Sequence, residues 1–137
     1  MSFKKGVSLL ELLIVTIIIG ILAALSLPLF ERTRERALDN EAKANLKLIQ
    51  AAQRIYQMEV GFFLDCAGLG GASCINTYLR LSLPAGLRSI WSYDTTAVGT
   101  DEFLGIAQRN TPNASWLRSW SINATAEEAR CSGNGCP

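Results

Sequence analysis

One acid stands apart from the rest of the chain: Glu11 is the only charged residue between Lys5 and Glu31, inside the apolar stretch from Val7 to Phe30. An ionised carboxylate in a segment of that kind costs roughly 2.5 to 3.5 kcal/mol on membrane-insertion scales, so a neutralising partner is called for. Conventional catalysis has little to work with. The chain contains no histidine, which removes the usual Ser-His and Cys-His nucleophiles, and the carboxylates beyond the apolar stretch are dispersed instead of paired for acid/base work. The composition therefore points away from an enzyme, and no cofactor or metal is expected. Asp94, Asp101 and Glu102 are too few and too spread to form a calcium loop.

The element that holds Glu11 is dominated by Leu, Ile and Val. At about 1.5 Å of rise per residue, a helix from Val7 to Phe30 is about as long as a bilayer's hydrocarbon core is thick. Lys4 and Lys5 precede it with no intervening acid, which places the N-terminus in the cytoplasm and residues beyond Phe30 outside. Two plainer readings compete. A secretory signal peptide cut near Ala23, Ala24 and Ser26 has a suitable basic start, but a shorter apolar core without a glutamate is the norm. A permanent single-pass anchor would merely tolerate Glu11 at the membrane edge. The mature N-terminus separates the three: Val7, a residue near Leu27, or Met1.

Gly6 ahead of the apolar run, Glu11 as the fifth residue after it, Gly20 within it and Pro28 near its end resemble the N-terminal signature of type IV pilins and pseudopilins, with Val7 where the family usually has phenylalanine. The likeness is strong over roughly the first 30 residues and rests on pattern and architecture after that. It implies a leader peptide (1–6), a transmembrane and filament-core helix (7–30) and a periplasmic or extracellular globular domain (31–137). It further implies cleavage between Gly6 and Val7 by a membrane prepilin peptidase and N-methylation of Val7. The new amine of one subunit would meet Glu11 of a neighbour, two charges that are less costly as a pair. Gly20 and Pro28 would serve assembly, as a close-approach point and a kink.

The partners so implied are other copies of the chain, the peptidase, the membrane before assembly, and an inner-membrane platform and motor. The precursor would cross the inner membrane once, before joining a surface pilus or a periplasmic pseudopilus. A pseudopilin of a type II secretion system and a minor pilin acting as an adhesive or DNA-binding tip are the alternatives. Bulk charge does not advertise nucleic acid: the net charge is +1, and losing Lys4 and Lys5 makes it −1 before the new terminus is counted. Nucleic acid stays open as a partner.

Beyond Pro28 the helical pattern continues. Ala37, Ala44, Leu48, Ala51, Ile55 and Met58 recur at helical spacing, with Leu38, Ala42, Leu46, Ile49 and Tyr56 widening the stripe, so residues 31–59 read as an amphipathic helix facing a core and ending at Gly61. Pro28, with Gly20 upstream, predicts an interruption between the two halves. Residues 62–84, with glycines at 68, 70 and 71, read as an irregular connection. Segments 90–96, 102–109 and 116–123 read as a three-stranded antiparallel meander with room for a fourth short strand, and Trp91, Phe103, Ile106, Trp116 and Trp120 supply contacts to the helix. The fold class is α+β: one long helix, half hydrophobic and half amphipathic, packed on a small antiparallel sheet.

Four cysteines in an exported domain suggest two disulfides, with three connectivities available. Short separations favour Cys66 with Cys74 and Cys131 with Cys136. A zinc site is the rival, but it would lack histidine and CxxC spacing. The second pair also resembles the disulfide-bounded loop near the end of many pilins. The sequons at Asn113 and Asn123 read as ordinary turn and strand residues.

Overall fold

The computed structural model describes residues 7–86, 89–112, 116–134 and 136, with the backbone but not the side chains of 25–29. Helix α1 runs Leu9–Val60 and helix α2 Ala72–Leu79, followed by strands β1 (Trp91–Val98), β2 (Glu102–Arg109), β3 (Arg118–Asn123) and β4 (Arg130–Gly133). The chain divides into two compact units, 1–38 and 39–137. In the first, every side chain from Val7 to Ala24 is exposed. The expected interruption is not found: α1 is assigned as one helix through Gly20 and Pro28. A proline withholds its own N–H from the ladder, and the hydrogen bonds of the neighbouring turns remain to carry the helix across it.

In the second unit the C-terminal part of α1 packs on a four-stranded antiparallel meander of order β1-β2-β3-β4. The fourth strand is present, and the α+β reading stands. Gly61 ends α1 as expected, with φ of 92° and its N–H on the Gln57 carbonyl at 2.8 Å. A left-handed backbone there is one that glycine adopts without a steric penalty.

Of the expected stripe the helix fully buries only Ala42, Leu46 and Ile49. Asp39, Ala42, Leu46, Ile49, Gln50 and Gln53 form the buried face, whereas Ala37, Ala44, Leu48, Ala51, Ile55 and Met58 are exposed. Counting only apolar types misplaces the core, because half of these buried positions are polar. Those three are satisfied by specific partners. The Gln53 amide donates to the Leu64 carbonyl and accepts from the Leu64 N–H, both at 2.8 Å. Gln50 Nε2 donates to the carbonyls of Asn123 and Ala126. Asp39 accepts from the Arg118 guanidinium and the Trp120 indole. The two glutamines thus satisfy backbone groups of the loop at Leu64, of the end of β3 at Asn123 and of the segment beyond it at Ala126.

Strand alternation settles which aromatics face α1. Trp91, Tyr93, Phe103, Trp120 and Ile122 are buried, with Phe63 packed on Phe103 at 5.0 Å between ring centres. Ile106 falls on the opposite face from Phe103 because the two differ by an odd number of residues, and it is half-buried. Trp116 lies just before β3, also half-buried, so neither residue belongs to the inner layer. Gly105 does. A β-carbon there would sit 3.4 Å from both Phe103 and Ile122 and 3.6 Å from Leu46, so the missing side chain lets helix and sheet close up.

The expected irregular connection contains α2. Ala72, Ile75 and Leu79 are buried at helical spacing, and Cys74 bonds to Cys66 just ahead of the helix. The second disulfide joins Cys131 to Cys136, so all four sulfurs lie in the pairs that short separation favours. Gly71, at φ 47°, sits where a β-carbon would overlap the Tyr93 carbonyl oxygen. Of the two sequons, Asn123 ends β3, and Asn113 lies outside the described residues.

Candidate functional site: the N-terminal segment of helix α1

Val7 and Ser8 lead into α1, and the Ser8 carbonyl accepts from the N–H groups of Glu11 and Leu12, both at 3.1 Å. Glu11 therefore lies in the first helical turn. The partial positive charge of unpaired N–H groups there favours a carboxylate modestly, by about 0.3 to 1 kcal/mol. That is less than the cost of placing the charge among hydrocarbon. Around it stand Leu9, Leu10, Leu12, Leu13, Ile14 and Val15, all exposed, and the exposed apolar side chains continue through Leu22. Thr16 is the exception in polarity and satisfies itself, its hydroxyl donating to the Leu13 carbonyl at 2.9 Å. What the segment offers is one acid in a long apolar surface, with Val7 one helical turn away at the helix entrance.

The family described as the prokaryotic N-terminal methylation motif matches residues 1–27. The chain carries a prokaryotic N-terminal methylation motif. The type IV major pilin protein PilA of Myxococcus xanthus (strain DK1622) is 43% identical over 64 residues, covering 47% of this chain and 29% of that relative. The chain thus aligns with less than a third of the relative's length. No solved structure matches.

Of the residues singled out in the sequence, Gly6 lies outside the described residues. Val7 and Glu11 fall together at the entrance of α1, and Gly20 is helical and exposed, with open space where a β-carbon would be. Pro28 is helical in its backbone. Among the described residues, no helix is long and apolar enough to cross a membrane.

Sequence reasoning missed a buried polar cluster in the second unit. Asp39 Oδ1 accepts from Arg118 Nε and Nη2, both at 2.7 Å, and from the Trp120 indole N–H at 3.1 Å, while the Lys43 ammonium lies 4.2 Å from the Trp120 ring centre. Asp39 is 79 and 81 residues from these two partners, so no local pattern signals the cluster. On β1, burial pushes the Tyr93 hydroxyl above its ordinary range against an opposing hydrogen bond from Asn45, and the Glu41 charge raises it further. Burial likewise raises the Asp94 carboxyl, opposed by its bond from the Thr95 N–H, with the Asp65 charge adding to the rise.

Proposed function

We propose that the chain is a structural subunit of a type IV pilus, stored in the inner membrane with its N-terminus cytoplasmic and released for assembly by cleavage between Gly6 and Val7. The observation that carries this reading is Glu11 set among exposed leucines and isoleucines just after the Lys-Lys-Gly-Val junction. Cleavage creates an α-amine at Val7, and methylation leaves it able to carry positive charge. In a polymer the amine of one copy compensates the carboxylate of another, so both charges leave lipid as a pair. The apolar helices exchange lipid for one another, with Gly20, Ala23 and Ala24 permitting close approach. A repeated contact that does not close on itself extends into an open helical filament.

A prepilin peptidase, an assembly platform and a motor are the partners this route requires. N-terminal sequencing and mass spectrometry of the chain from sheared surface fibres test it. The expected N-terminus is N-methylated Val7. Fibres built of chains that begin at Met1, or at a residue near Leu27, would refute the proposal.

A further inference from the structure

A cleft of about 470 Å³ opens in the second unit between α1 and the C-terminal end of α2, within the size range of small-molecule sites. Ala52, Ile55, Tyr56 and Glu59 share one side of α1 and form one wall. Tyr78, Leu79 and Arg80 form the other. Tyr56 is braced by an edge-on contact with Phe62 at 6.1 Å between ring centres, and Tyr78 is 58% exposed. Glu59 and Arg80 bring opposite charges to the cleft. Both are exposed, and among the described residues no ion pair or side-chain hydrogen bond occupies either of them. Arg80 ends α2 at φ 54° and ψ 39°, and among the described residues it is the one non-glycine position with a left-handed backbone. Glycine ends a helix in this way without steric penalty. The fold alone therefore gives no reason for an arginine there, whereas an unfavourable backbone kept beneath a charged side chain at a cleft is a mark of use.

We propose that this cleft binds a small zwitterion with a trimethylammonium head and an acidic group, of the phosphocholine or betaine type. The charges select for both signs at once: a purely anionic ligand would meet Glu59, and a purely cationic one would meet Arg80. A primary ammonium asks for an acceptor for each of its donors, and the side chains of the cleft offer one carboxylate besides the two phenols. A trimethylammonium has no donor to satisfy. Its methyl groups suit Ala52, Ile55 and the buried Leu79, the tyrosine rings attract its charge, and Glu59 balances it. The planar guanidinium of Arg80 is shaped to take two oxygens of a phosphate or a carboxylate together.

The test uses full-length chain in a maltoside detergent, which carries no choline group, titrated calorimetrically with phosphocholine, betaine, choline and inorganic phosphate. Saturable binding of at least one zwitterion, severalfold tighter than choline or phosphate, is expected. Whether phosphocholine or betaine binds more tightly identifies the acidic group that Arg80 holds. Arg80→Gly should leave Tm unchanged or raise it, because glycine relieves the left-handed backbone, while weakening the zwitterion to the level of choline. That combination separates lost binding from lost folding. Glu59→Gln and Tyr78→Ala, both at exposed positions, should each weaken the zwitterion severalfold. No saturable binding, zwitterions bound no better than choline, or an affinity unchanged by both Arg80→Gly and Tyr78→Ala would overturn the proposal.

Discussion

At the scale of single residues, polar groups decide how this domain is put together. Asp94 is the clearest case for a pH effect. Its carboxyl is raised in the folded chain, chiefly by burial and further by the Asp65 charge, against the bond from the Thr95 N–H. A raised acid binds its proton more tightly when folded, so the favourable contribution is present below the unfolded pKa and lost as pH rises through the folded value. At neutral pH the ionised group opposes folding. Asp94→Asn keeps the acceptor for the Thr95 N–H and removes the charge, so it should raise Tm slightly at pH 7. That gain should vanish near pH 3, as followed by circular dichroism of detergent-solubilised chain. A larger gain at pH 3 than at pH 7 would reverse the assignment.

At the scale of elements, what the sequence makes legible is what repeats locally. Alternating or β-favouring residues in 90–96 and 102–109 mark strands, and the glycine at 61 marks the end of a helix. Both survive in the structure. The buried face of α1 escapes an apolar count because three of its positions are Asp39, Gln50 and Gln53, whose partners lie in the loop at 64, in β3 and in the segment beyond it. Periodicity cannot anticipate partners so distant in the chain. Helix α2 is hidden by its flanking glycines and its brevity, and what fixes it is tertiary: the disulfide to Cys66 and its close approach to β1. Gly71 governs that approach. Gly71→Ala must move the backbone away from the Tyr93 carbonyl and adopt an unfavourable φ, so it should cost about 1 to 3 kcal/mol and increase hydrogen exchange in 66–79 with little change in β3. Equal loosening of both segments would place the strain elsewhere.

At the scale of the whole molecule, the candidate site is the most legible part of the chain, since Gly6, Val7, Glu11, Gly20 and Pro28 occupy a single short stretch whose spacing is its meaning. The methylation-motif match covers residues 1–27 and so ends one residue before Pro28. If polymer growth depends on matching the Val7 amine with Glu11, Glu11→Ala should leave cleavage and membrane storage intact while cutting fibre yield at least tenfold. That change corresponds to about 1.4 kcal/mol per contact, within what a broken ion pair in an apolar setting can cost. Immunoblots of membrane and sheared-fibre fractions would show it, and equal fibre yields from the two chains would remove Glu11 from assembly.

The contact between Asp39 and the Trp120 indole has an optical consequence. Indole emission responds to the polarity and charge around the ring, and Trp120 has a carboxylate on its N–H and the Lys43 ammonium over its face. Loosening of the C-terminal part of α1 from β3 would strip both charges from the chromophore at once. Its share of the emission, read beside those of Trp91 and Trp116, is thus a built-in gauge of that docking that needs no dye.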